Sequence, residues 1–203
     1  MKTKRFALLL AVSLLFSVAA SAVVAPGPMD QIKASVDEVL NILSNSKLEA
    51  NDKKERISTI IRKRFYFRAM AQQTLAQNWR KATPDEQKNF VELFSRLVMA
   101  TYMDRIEAYS NESVEFKREK IEEDRAVVDT TIVTTTVQIP ISYKLVKKDG
   151  EWLVYDVVVE EVSLVRNYRS SYQDIVNKEG FTGLMAKMQE KIKSLEAPPG
   201  KTG

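Results

Sequence analysis

One change of period constrains this chain more than anything else in it. From Pro28 to about residue 110, apolar residues recur every three or four positions, the repeat of helices with one buried face. From Ser113 to Glu161 the repeat drops to two, in a stretch rich in Val, Ile, Thr and Tyr. Beyond residue 163 the helical repeat returns. A run of antiparallel strands between two helical blocks specifies an α+β domain and excludes alternating β-α-β architectures, whose strands would be separated by helices.

The helical blocks carry their own punctuation. Pro26-Gly27-Pro28 breaks the chain ahead of a first helix, in which Ile32, Val36, Val39, Leu40 and Leu43 share a face and which ends near residues 44–46. Asn51 is the expected cap of a second helix bearing Ile57, Ile60 and Ile61, and a third, shorter helix is expected over 68–77. Thr83-Pro84-Asp85-Glu86 is a capping box with proline at the first helical position. It starts a long helix to about Tyr109, with Phe90, Leu93, Phe94, Leu97, Val98 and Tyr102 among the residues of its apolar stripe. Two C-terminal helices are expected at 165–177 and 181–195, and a frayed tail at 197–203.

Four strands are expected, at about 113–121, 125–136, 137–147 and 151–161. In the third, Val137, Ile139, Ile141, Tyr143 and Leu145 alternate with polar residues, so one face is buried. Pro140 has no N–H for a ladder, which predicts an edge or a bulge there. Asp149-Gly150 predicts a two-residue hairpin. In the last strand Trp152, Val154 and Val158 are expected to oppose Leu153, Tyr155, Val157 and Val159, giving two apolar faces that both need cover. The whole is a curved four-stranded antiparallel sheet packed with five to seven helices: helical over 28–110, sheet over 113–161, helical again over 163–195. Pattern alone does not decide whether these layers close on a dry core or leave a pocket.

The first residues speak to compartment. Lys2, Lys4 and Arg5 precede an apolar run from Phe6 to Ala20, and Ala20-Ser21-Ala22 offers small residues at −3 and −1 of a peptidase site. This is the pattern of a signal peptide over 1–22, cleaved near Ala22, and the run falls short of the ~20 residues that span a bilayer. The expectation is a single mature domain over 23–203 in the periplasm. The formal charge is +4, and removing the three leader cations leaves +1, without the basic footprint of a nucleic-acid binder. The chain has neither His nor Cys. Disulfides, lipoprotein acylation and the Ser-His-Asp, Cys-His and zinc chemistries are thereby excluded together. No metal site, no cofactor and no catalysis are expected. Asp156 and Glu160, at i and i+4 of a strand, could form a glycosidase-like carboxylate pair, but a structural partner for a nearby arginine is the simpler reading. Asn111-Glu112-Ser113 matches a glycosylation sequon, read as a chance match.

Two stretches go beyond pattern. One runs Phe65-Tyr66-Phe67-Arg68-Ala69-Met70-Ala71, then Leu75, Trp79-Arg80-Lys81-Ala82-Thr83-Pro84, Gln87, Phe90, Phe94 and Thr101-Tyr102. The other runs from Trp152 through Glu160, then Val162-Ser163-Leu164-Val165, Asn167-Tyr168-Arg169-Ser170 and Gly180. Together they resemble the MlaC family, also called the toluene-tolerance auxiliary family, over roughly Pro28 to Leu195. Glu161 and Ala76 stand where that family usually has glycine.

The resemblance implies a fold related to the cone-shaped NTF2-like domains, with lipid tails in a deep apolar cavity and the head group near solvent. It implies phospholipid as cargo and two partners, an inner-membrane Mla-type ABC transporter complex and an outer-membrane lipoprotein–porin complex. A hopanoid or another apolar lipid is the alternative cargo, and a solidly packed interaction module the alternative function. Carriage has a clear physical motive. Each methylene is worth about 0.8 kcal/mol on burial, so a tail of about sixteen carbons represents on the order of 13 kcal/mol. The expected tail-lining residues are Phe90, Phe94, Leu97, Val98 and Tyr102 of the long helix, with Tyr143, Val154, Val157 and Val159 of the sheet. Val162, Leu164, Tyr168 and Tyr172 complete the set. Arg80, Arg166 and Arg169 are candidates to meet the phosphate, or simply solvated surface groups.

Overall fold

The computed structural model describes residues 25–108 and 113–197. The leader, the sequon residues Asn111 and Glu112, the helix end at Tyr109 and the tail from Pro198 lie outside these. Helices α1 (Pro28–Ser44), α2 (Ala50–Arg64) and α3 (Phe67–Leu75) come first, then a 3-10 turn (Ala76–Arg80) and α4 (Pro84–Glu107). Strands β1 (Ser113–Glu122), β2 (Arg125–Val133), β3 (Gln138–Lys148), β4 (Glu151–Val159) and β5 (Val162–Ser163) form a meander in that order, antiparallel throughout. Helix α5 (Leu164–Glu196) closes the chain.

The α+β class holds, and the strand count changes from four to five. The chain turns back at Glu160-Glu161, so the expected last strand ends at Val159 and a two-residue β5 pairs with it. The two expected C-terminal helices meet in α5 at Gly180, whose φ of 69° and ψ of −172° interrupt the helix as only glycine readily does. The capping box at Thr83 forms as expected: its hydroxyl accepts from the Glu86 amide (3.2 Å) and its own N–H donates to the Glu86 carboxylate (2.8 Å). Helix α2 instead begins one residue before Asn51, with Glu49 at the cap position and no side-chain bond there. Asp149 and Gly150 make the hairpin with φ of 50° and 86°.

Pro140 departs from its expectation. It lies in the interior strand β3, opposite Thr131 of β2, not on an edge. The position tolerates proline because β4 has just ended there. The Pro140 carbonyl accepts from the Glu160 amide (3.1 Å), so the missing N–H would have pointed to the same side, past the last rung.

A bulge in β4 overturns the expected division of its faces. Lys144 pairs with Asp156 and Leu145 with Val154, leaving Tyr155 as the extra residue. Trp152 and Val154 therefore share the side of Val157 and Val159 instead of opposing it. Directly opposite partners point the same way, and Leu145, Tyr143 and Ile141 sit opposite Val154, Val157 and Val159.

Two apolar cores result. The larger is helical, built where α3, α4 and α5 meet, around Phe67, Met70, Phe90, Phe94, Leu184 and Met188. The smaller lies between the start of α1 and the sheet, where Ile32 packs on Ala126, Val128, Leu145, Trp152 and Val154. Phe65, between α2 and α3, touches both. The first turn of α1 is tied to β1 by Glu119, which accepts from the Met29 amide at 2.6 Å.

Both positions where the family favours glycine keep a glycine-like backbone without it. Ala76 has φ 49° and ψ −118°, and Glu160 and Glu161 have φ of 48° and 68°. Such conformations strain an L-residue by about 1–3 kcal/mol, against the roughly 0.5–1 kcal/mol that glycine costs in chain entropy. Ala76→Gly is expected to raise stability by about 1 kcal/mol, read as a shift of the urea midpoint at unchanged slope.

Candidate functional site

A cavity of about 640 Å³ opens between α1, the end of α2, the end of α4 and the concave face of the sheet. Helix α1 supplies Ile32, Val36, Val39, Leu40 and Leu43, its whole apolar stripe. Ile60 and Ile61 of α2 and Phe65 form the back. Tyr102 and Ile106 of α4 stand opposite, and the floor is Val114 of β1, Ile132 of β2, Ile139, Ile141 and Tyr143 of β3, and Val159 of β4. The wall is mainly apolar, and the cavity volume falls in the range of roughly 300–1,000 Å³ typical of ligand pockets.

The cavity exists because only the first turns of α1 pack on the sheet; its far end is tied to α2 instead, where Lys53 Nζ donates to the Leu43 carbonyl (2.8 Å). Pro28, Gln31 and Ile32 are buried and Val36 still packs on the sheet core, whereas Val39, Leu40 and Leu43 are half-buried over the open space of the cavity. The anchor is Arg64, at the end of α2. Its Nη1 donates to Gln31 Oε1 (2.5 Å) and to the Trp152 carbonyl (2.9 Å), and its Nε donates to Ser35 Oγ (3.1 Å). Gln31 Oε1 also accepts from the Trp152 amide (3.1 Å). One guanidinium thus joins α1, α2 and β4 while forming part of the cavity wall.

Of the residues expected to meet lipid tails, Tyr102, Tyr143 and Val159 line this cavity. Val154 and Val157 lie on the same sheet face but are buried beneath α1. Phe90, Phe94, Leu97, Val98, Leu164, Tyr168 and Tyr172 belong to the helical core, where the aromatic rings pack on one another. Phe90 and Phe94 stack at 5.8 Å, and Tyr172 and Tyr168 meet them edge-on at 6.0 and 5.4 Å. Val162 is 59% exposed at the β4–β5 corner. The three arginines stand apart from the cavity: Arg80 and Arg166 are exposed, and Arg169 Nε donates to the Gln73 carbonyl at 2.8 Å. The α1 residues and the aliphatic floor were visible in the sequence as ordinary amphipathic stripes. Only the absence of packed neighbours separates them from core.

Asp156 is neither exposed nor paired with Glu160. It is 4% exposed and accepts from Lys144 Nζ (3.1 Å), Ser163 Oγ (2.8 Å) and the Val165 amide (3.2 Å), which fixes the start of α5 on β4. The partner is a lysine with two further donors rather than the arginine expected. Glu160 sits exposed in the turn.

Tyr143 shows how apolar this space is. Its ring counts as half-buried only because it borders the cavity, and burial pushes its phenol up to about 12, against a smaller lowering contribution from the Thr130 hydroxyl. Burial likewise raises Tyr168 and Tyr172, and the Tyr172 hydroxyl has no partner among the described residues. The sign for stability follows directly. Below pH ~10 the tyrosine is protonated in both states; between ~10 and ~12 only the unfolded chain has lost the proton, so stability falls by about 1.4 kcal/mol per unit for Tyr143 alone. Tyr143→Phe is expected to flatten that slope in urea titrations carried out across pH 9–12.

The comparisons agree with one another. A family model described as MlaC protein matches residues 33–190. The chain is 22% identical over 197 residues to the intermembrane phospholipid transport system binding protein MlaC of Haemophilus influenzae, covering 92% of each. It is 28% identical over 103 residues to the toluene tolerance protein ttg2D of Pseudomonas putida, covering 50% of this chain and 48% of that one. Among solved structures, a phospholipid-binding protein of Ralstonia solanacearum, determined in complex with a phospholipid, superposes with a TM-score of 0.75. It is 24% identical and is covered over 97% of its length by 82% of this chain. With a helix-flanked antiparallel sheet, an aliphatic cavity under α1 and a family match spanning most of its length, the chain belongs to the MlaC family.

Proposed function

We propose that this protein is a non-catalytic phospholipid carrier of the periplasm, holding acyl chains in the cavity beneath α1. The observation that carries this reading is the 640 Å³ cavity with a mainly apolar wall, in a chain of this family. In this reading the tails lie against Val36, Val39, Leu40 and Leu43 on one side and Ile139, Ile141, Tyr143 and Val159 on the other. The aromatic cluster of Phe90, Phe94, Tyr168 and Tyr172 is the rigid core that positions α4 behind them. We read the sheet and its helical wrap as a relative of the cone-shaped NTF2-like domains. The leader sequence supports export, and membership of the MlaC family supports exchange with an inner-membrane Mla-type ABC transporter complex and an outer-membrane lipoprotein–porin complex.

The test is native mass spectrometry of the mature protein, followed by lipid extraction from phospholipid vesicles. Co-purifying phospholipid is the expected result. A polycyclic lipid in its place would keep the carrier and change the cargo. A protein that purifies empty and extracts nothing would sink the reading.

A further inference from the structure

Two cations stand in the cavity wall, Arg64 and Arg105, and the structure treats them differently. Arg64 is deep, its side chain 12% exposed and its donors committed to Gln31, Ser35 and the Trp152 carbonyl. Arg105 is on the last turn of α4. Among the described wall residues, only Arg105 and Ala108 are exposed, so the cavity reaches water at this turn. The Arg105 guanidinium lies 5.9 Å from the centroid of the Tyr102 ring, which is itself part of the wall. No carboxylate pairs with it among the described residues: Asp104, its neighbour on the helix, makes no ion pair with it, and Glu107 is engaged by Lys54 at 3.2 Å.

We infer that Arg105 is the phosphate-binding residue of the cavity, clamping the phosphodiester of a lipid whose tails lie along the aliphatic wall. The inference rests on the carrier reading proposed above and adds a chemical requirement to it: a monoanionic phosphate at the junction of head group and tails. Guanidinium suits this role, since its planar fork offers two parallel N–H donors to two phosphate oxygens. Position suits it too. A tail-sized cavity whose wall is mainly apolar, with its deep cation Arg64 already engaged by Gln31, Ser35 and the Trp152 carbonyl, meets one exposed cation at the water boundary, which matches the polarity profile of a phospholipid from methyl end to phosphate. The Tyr102 ring beneath the guanidinium restrains it without using its donors. Arg80, Arg166 and Arg169 lack this placement, because none of them borders the cavity.

The experiment compares lipids with identical tails. Mature wild-type protein, Arg105→Ala and Arg105→Lys are incubated with vesicles of phosphatidylcholine containing equal amounts of phosphatidylglycerol and diacylglycerol, and bound species are counted by native mass spectrometry. The wild type is expected to favour phospholipid over diacylglycerol by roughly tenfold or more, the size expected for charge-assisted bonds. Arg105→Ala should lose most of that preference while still taking up lipid, with Arg105→Lys intermediate because it keeps charge but not the fork. Added inorganic phosphate, lacking tails, is expected to leave lipid uptake unchanged; displacement of lipid by it would mark a free-anion site and overturn the head-group assignment. Equal phospholipid-to-diacylglycerol ratios in wild type and Arg105→Ala would overturn the inference and leave the carrier reading standing. A wild type that takes up neither lipid would remove both.

Discussion

Val39→Glu is expected to empty the protein of lipid while leaving it folded. Val39 is half-buried on α1, with its side chain facing the cavity. In the lipid-free protein a glutamate there can turn toward the water-accessible space, and such substitutions at half-exposed helix positions change stability by less than about 1 kcal/mol. A tail lying along α1 would cover the carboxylate with hydrocarbon and give it no partner, a penalty of several kcal/mol. At 1.4 kcal/mol per decade that corresponds to a loss of lipid occupancy on the order of a hundredfold or more. Native mass spectra give the occupancy and thermal unfolding gives the stability. The control is Ile32→Glu, in the first turns of α1, where the side chain is 1% exposed and packs on the sheet; that variant is expected to unfold. A Val39→Glu protein with its full complement of lipid would place the tails somewhere other than beneath α1.

Asp156→Ala is expected to be the most destabilising single change in the sheet, by about 3–5 kcal/mol, because it strips three donors of one buried acceptor. Lys144, Ser163 and the Val165 amide all lose their partner, and with it the attachment of α5 to β4. Asp156→Asn keeps the shape and one carbonyl oxygen, so it should cost less, about 1–2 kcal/mol, chiefly through the weakened bond to Lys144. Urea unfolding of the two variants checks the order. Because this carboxylate acts on the fold and not on a ligand, Asp156→Asn protein that is folded should load lipid as the wild type does.

Much of the fold was legible because its signals are local. The change of period after residue 110, the capping box at Thr83 and the Asp149-Gly150 turn each follow from neighbouring residues alone, and each forms as expected. The bulge at Tyr155 was not legible. It inserts one residue into a strand where nearly every side chain is apolar, so alternation carries no mark of the slip. The limit of β4 was hidden for a related reason: Glu160-Glu161 turns the chain with positive φ, a conformation that composition assigns to Gly or Asn rather than glutamate.

The cavity was the least legible feature, and the cause is physical. An apolar stripe reports that a face avoids water, and both packed neighbours and empty space satisfy that. The aromatic stripe of α4 and the aliphatic stripe of α1 have the same period, yet the first meets the rings of α5 and the second overhangs a void. What separates them is the Arg64 node and the bulk of the sheet residues beneath α1, which are contacts between segments far apart in the chain. Arg105 escaped notice for the same reason. On the sequence it is one basic residue near a helix end, and only the arrangement of α1 and the sheet around it makes it the cation at the boundary with water.

The packing of only the first turns of α1 on the sheet also separates two kinds of inheritance. Gln31 and Ile32 are bound to the rest of the fold, so changes there are felt by every copy of the protein whether or not it carries anything. Val39, Leu40 and Leu43 are half-buried over the cavity and belong to neither core, so their size can drift without unfolding the chain. Cargo preference can therefore diversify along little more than one turn of a single helix while the scaffold stays constant, and exchanging those three side chains is the shortest path to a carrier for longer, shorter or bulkier lipids.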